Sequence, residues 1–152
     1  MFFNLSPKPK LMDIKKLWAG GIAGGVAFFL LGWLVYGMLL ANFMATHPGT
    51  AGDLSRPNGE LLYLYLVIGN LAQGLFLAYI FLKGNVTTMA GGLVTGAVVG
   101  FLMSVSFDCI MYATSTIASK TMMAGDVAAA TVITAIAGAV VAMVIGMGKK
   151  AA

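Results

Sequence analysis

Gly92, Gly96, Gly100, Ser104 and Asp108 recur at unbroken four-residue intervals inside an apolar stretch covering residues 89–112. In a helix that spacing draws one stripe, small along most of its length and closed by a carboxyl group. An ionisable side chain inside a hydrophobic segment is costly, and it is found there as a proton or cation contact, as a partner for other polar groups, or where water reaches it. Asn70 and Gln73 lie three residues apart in another apolar stretch, 61–82, about halfway along it. Amides at that depth either bond to a neighbouring helix, worth roughly 0.6–2 kcal/mol per contact, or line a polar path. Asp108, Ser104, Asn70 and Gln73 are therefore the candidate polar pathway or ligand contacts, with His47, Arg56 and Lys120 as candidate outer-side partners of Asp108.

Other chemistry finds little support. The chain has no H-E-x-x-H, no G-x-S-x-G and no phosphate loop, so no catalytic residue is expected. Cys109 is the only cysteine and lacks the cationic neighbours that would activate a thiol. His47 is the only histidine, with no second histidine or cysteine nearby to complete a zinc or copper site. The eleven methionines are scattered apart from Met122-Met123, which suits helix packing better than copper binding. No metal, no cofactor and no enzymatic activity are predicted.

The elements that must position these residues are set by composition. Hydrophobic residues make up 60% of the 152-residue chain and charged residues 9%, with a mean hydropathy of +0.94. Soluble domains carry about 25% charged residues, so a water-facing surface cannot be assembled and the bilayer is the expected partner. The apolar runs predict an all-α membrane protein, one domain over 17–147 with spans at about 17–44, 61–82, 89–112 and 127–147. Residues 1–16 form a tether and 148–152 a tail. The first span, 28 residues long, would be about 42 Å of helix against a hydrocarbon core of about 30 Å, so it must tilt, kink or protrude. That run is also too long for a secretory signal, and no clear cleavage site comes after it. Phe2, Phe3 and the run Pro7-Lys8-Pro9-Lys10 make the tether interfacial. Tyr63, Tyr65 and Tyr79 suit an aromatic belt.

The net charge of +4 reads as topology rather than nucleic-acid binding. Lys8, Lys10, Lys15, Lys16, Lys83, Lys149 and Lys150 fall on one side, and Arg56 and Lys120 on the other. The positive-inside rule puts both termini in the cytoplasm. The turn over Lys83 to Thr88 is short enough to predict an antiparallel helix hairpin, and on the cytoplasmic side the sequon Asn85-Val86-Thr87 has no meaning. Asp126, after a hydroxyl-rich connector, is predicted to cap the last helix.

Small residues predict how the helices associate. Gly20, Gly21, Gly24 and Gly25 form two overlapping G-x-x-x-G pairs, and Thr134, Gly138, Ala142 and Gly146 form a second four-residue ladder, the natural mate of the first. Trp33 and Tyr36 are expected to fill the space opposite glycines. Ala19-Gly20-Gly21-Ile22 and Ala90-Gly91-Gly92-Leu93 match at an offset of 71 residues, a hint of two equally oriented hairpins. The stretch Gly32-Trp33-Leu34-Val35-Tyr36-Gly37, after a glycine-rich helix start, resembles a family of small bacterial four-helix integral membrane proteins of unknown function. That resemblance implies a bacterial inner-membrane location and a four-helix bundle, and supplies no activity. The functional expectation is a packing or assembly component, a homo-oligomer or a subunit of a membrane complex held by glycine-rich faces. The alternative is a small transporter, channel or membrane ligand-binding protein that uses Asn70, Gln73 and Asp108.

Overall fold

Asp13 stands in extended backbone and its carboxylate accepts from the Lys16 amide at 3.2 Å, which starts the first helix, α1 (Ile14–Leu34), earlier than its apolar run. The over-long first span resolves as a kink: α1 widens into a π turn at Val35–Leu39, the backbone breaks at Leu40, and a short α2 (Ala41–Thr46) comes next. After the loop come α3 (Tyr63–Lys83), α4 (Met89–Thr114) and α5 (Lys120–Gly146). Thr88 caps α4 by accepting from the Gly91 amide at 3.1 Å. Ser119 caps α5 by accepting from the Met122 amide at 3.1 Å. Asp126 therefore does not cap the last helix and stands nearly two turns inside it, because a competent hydroxyl occurs earlier in the connector. The structure, a computed structural model, describes residues 12–51, 56 and 60–147. The tether before residue 12, Asp53 and the tail 148–152 lie outside the described residues.

Four helical segments are long and apolar enough to cross a membrane: Ile14–Leu39, Tyr63–Lys83, Met89–Thr114 and Lys120–Gly146. Their large apolar side chains point mostly outward, Leu30, Leu102, Ile110 and Val132 among them, as lipid-facing surfaces require. The interior is assembled around α5, which touches each of α1, α3 and α4. Leu77 and Phe81 of α3, Phe28 of α1 and Ile133, Val141 and Ile145 of α5 form its bulk. Phe81 reaches the notch at Gly138, where an added Cβ would lie 3.2 Å from the ring.

Glycine sets the helix separations. An added Cβ on Gly74 would fall on the backbone of Gly21 and Gly25, and one on Gly25 would lie 2.9 Å from the Cα of Leu71, so α1 and α3 meet backbone to backbone. The other edge of the same run packs on α5, Gly20 against Ile145 and Gly24 against Val141. On α4 the buried residues are Gly92, Gly96, Gly100, Ser104 and Asp108, the stripe read from the sequence. Gly92 meets Ala142, Gly96 meets Gly138 and Gly100 meets Thr134, each pair equidistant in the chain from Ile117. Gly146 closes the ladder against Thr87. Every glycine expected to serve packing is thus engaged within the chain, whereas Gly32 and Gly69 have nothing within 4 Å.

The short turn after α3 does not press α3 against α4. Asn85, at φ 53°, takes the left-handed conformation that asparagine tolerates and turns the chain, yet α3 packs on α1 and α4 on α5. Each helix turns its small-residue face to the other partner, which leaves bulky Phe76, Met103 and Phe107 between α3 and α4 and holds them apart around a cleft. At one end of the bundle the Lys16 ammonium donates to the carbonyls of Ile145 (2.8 Å) and Met147 (3.3 Å), at the C-terminus of α5. At the other end the Gly49 and Ala51 amides donate to the carbonyls of Ile117 (3.0 Å) and Thr116 (3.1 Å), and the Ser119 hydroxyl donates to the His47 carbonyl (2.7 Å).

Replacement of Gly74 or Gly96 by leucine should lower thermal stability in mild detergent by roughly 2–3 kcal/mol or more, since overpacking against backbone cannot relax by a side-chain shift. Gly69→Ala should be neutral or gain up to about 1 kcal/mol from helix propensity. Equal behaviour of all three variants in a melting series would contradict this packing.

Candidate functional site

The ladder that joins α4 to α5 carries Ser104 and Asp108 into the interface. The Ser104 hydroxyl donates back to the Gly100 carbonyl at 2.8 Å, which satisfies its proton and leaves only lone pairs to offer. Asp108, one turn further, is 9% exposed. Its Oδ2 is shielded from solvent and has no hydrogen-bond partner among the described residues. The side chain facing it is another acid, Asp126 of α5, and the Tyr36 hydroxyl of the π turn lies within interaction reach of both. Asp108 precedes the end of α4 by six residues and Asp126 stands six residues after the start of α5, so each carboxyl lies about 9 Å inside its helix end.

The sequence-derived site residues divide. Ser104 and Asp108 share one buried face, and Ser104 also lines the α3/α4 cleft of about 360 Å³ together with Gln73 and Thr134. Asn70 is not part of this group. Its amide donates to the Leu66 carbonyl at 2.7 Å, within its own helix, and it borders a separate groove of about 370 Å³ beside Val26 and Phe29 of α1. Three residues along a helix amount to a 60° offset, enough to send Asn70 and Gln73 to opposite edges of α3. The cationic partners expected for Asp108 are also elsewhere. His47 stacks on Phe43 at 4.6 Å between ring centroids and engages the Phe43 carbonyl at 3.0 Å, and among the described residues Asp108 forms no ion pair with Arg56 or Lys120.

Asp126 and Tyr36 are the residues that sequence reasoning passed over, the first as a helix cap and the second as bulk. Asp126 was within reach of the pattern. Counting back by four from Thr134 gives Ala130 and then Asp126, and Asp126 stands as far from Ile117 as Asp108 does. For Tyr36 no such signal exists, because its direction depends on the π turn, whose extra residue rotates the chain beyond it relative to a regular helix. Trp33 stays outside at 61% exposure and covers Gly37, whose Cβ position lies 3.4 Å from the indole.

Two carboxyls and a phenol offer hard oxygen donors, suited to a proton or a hard cation rather than to a soft metal. No protein-family model, curated protein or solved structure matches this chain, so function has to be read from this arrangement.

An asparagine at 108 or 126 would remove like-charge repulsion and supply an N–H to the acid that remains. Asp108→Asn and Asp126→Asn should each raise thermal stability at neutral pH, by roughly 1–3 kcal/mol, the cost of leaving a buried polar group unsatisfied. Lower melting temperatures for both variants would show that the wild-type carboxyls are already well satisfied.

Proposed function

We propose that this is a multi-pass membrane protein that binds and passes a proton or small cation, and that Asp108 and Asp126 form the binding site. The observation that carries this reading is the Asp108 carboxyl, nine-tenths buried, with an orphan oxygen and a second acid as its neighbour. Side by side in a medium of low dielectric, two ionised carboxylates repel strongly, so the pair is a natural receptor for one positive charge. Tyr36 adds a neutral oxygen at the same point and sits on a π turn, a distortion that recurs at functional sites.

The assembly reading is weaker. Association through Gly20, Gly21, Gly24, Gly25, Gly92, Gly96, Gly100, Gly138, Ala142 or Gly146 would compete with contacts those residues make inside the chain. Homo-oligomers or a larger membrane complex would have to use other surfaces, such as those at Gly32 and Gly69.

We also propose antiparallel hairpins with both termini cytoplasmic, in a bacterial inner membrane. Support for the orientation comes from Lys16, which reaches the C-terminus of α5, and from Lys83 at the same end beside the turn that meets Gly146. Lys120 starts α5 at the opposite end. The order of contacts, Gly21 with Leu75 and Gly25 with Leu71, favours opposed chain directions in α1 and α3. The bacterial location rests on the resemblance in the stretch from Gly32 to Gly37 alone.

Proteoliposomes loaded with a pH-sensitive dye test the function. Under an imposed pH or sodium gradient the wild type should dissipate the gradient faster than empty vesicles, and Asp108→Asn and Asp126→Asn should each cut that rate at least tenfold while retaining helical circular dichroism. A wild-type rate equal to that of empty vesicles, or an unchanged rate in both variants, would defeat the proposal.

A further inference from the structure

The cleft between α3 and α4 lies at mid-span. Gln73 is ten residues into α3, and Thr134 fourteen into α5, and the cleft's open side is the gap between two helices whose outer surfaces are apolar. A molecule reaching it would come from the bilayer. Three aromatic rings line it, Phe28, Phe76 and Phe107. Phe28 is buried and fixed in the core, while Phe76 and Phe107 are exposed at the cleft.

The polar groups in the wall favour positive charge. Ser104 commits its proton to the Gly100 carbonyl and presents lone pairs. Gln73 forms no hydrogen bond among the described residues, so its carbonyl oxygen is free to accept, and an unsatisfied amide in hydrocarbon is costly to leave alone. No lysine, arginine or histidine borders the cleft. The nearest ionisable side chains are Asp108, one helical turn beyond Ser104, its partner Asp126, and Tyr36. Aromatic faces attract cations through their quadrupoles, by up to about 2 kcal/mol or more when water is excluded.

We infer that this cleft binds a lipophilic monocation, an amphipathic amine or onium ion whose apolar body enters from the bilayer among the phenylalanines and whose charge is held toward the Asp108 and Asp126 carboxyls. This rests on the reading of those two acids as a cation site. It adds the class of molecule they serve and the route by which it arrives. An apolar cleft alone would accept any acyl chain. The acceptor-only wall and the acid pair above it select for charge.

Tetraphenylphosphonium and tetraphenylborate have nearly the same size and shape and opposite charge, and so separate these cases. Binding of each to the full chain in lipid nanodiscs should be measured by equilibrium dialysis against empty discs of the same lipid. The phosphonium should bind saturably and at least tenfold more tightly than the borate. Phe76→Ala, a change at an exposed position that leaves the acid pair untouched, should weaken it at least fivefold, and Asp108→Asn at least tenfold. The inference is overturned by no saturable binding above empty discs, as for a cleft filled only by acyl chains, by equal binding of the two ions, or by binding indifferent to either substitution. Loss of phosphonium binding with intact, Asp108-dependent proton or sodium flux would reject the cleft alone. Absence of both would reject the acid pair as well.

Discussion

Backbone contact between α4 and α5 is the constraint on which the rest of this structure depends. In lipid, burying one leucine against another gains little, and helices hold together where small residues let their backbones touch. The Gly92 to Gly100 stretch against Thr134 to Ala142 supplies that contact, and it admits one register, because any slide would drive a side chain into a peptide group. The same register carries Asp108 to Asp126 at the far end. An interaction worth little in itself, dispersion between glycine and alanine surfaces, thus forces together two groups that would otherwise avoid each other.

The consequences extend across the bundle. Since α4 commits its small-residue face to α5 and α3 commits Gly74 and Ala78 to α1, the two helices joined by the tightest turn are left facing each other with phenylalanine and methionine. A cleft between them results from packing preferences alone. The two hairpins are not equivalent, since the glycines of α1 serve two partners and those of α4 serve one, so the weak internal repeat, if it records a duplication, has diverged in how the halves pack.

Much of this was legible in the sequence because membrane helices announce themselves by composition and length. All five buried positions of α4 could be read from a four-residue spacing. What escaped depended on features with no local signature. Ser119 outcompeted Asp126 as a helix cap because it lies at the point where the connector bends into helical geometry. The π turn has no sequence mark other than an apolar run too long for one span, and without it Tyr36 reads as filler. Asn70 and Gln73 looked like a pair by spacing, yet a 60° offset separates two surfaces when a helix is wedged between grooves. The acid pair lay between these cases: its register was written in the two ladders, though the second reads plainly only as far as Thr134.

An acid pair is an expensive thing to keep inside a small membrane bundle, and its persistence beside a distorted helix turn resembles the strain that functional sites retain at the expense of stability. The direct test of the account is whether these two positions face each other in the membrane. With Cys109 replaced by serine, a chain carrying Asp108→Cys and Asp126→Cys should form an intramolecular disulfide under mild oxidation in native membranes, read as a two-dalton mass loss. The same experiment with Asp108→Cys and Ala128→Cys should give little. Efficient bridging of the offset pair, or none of the aligned one, would contradict the register and with it the site.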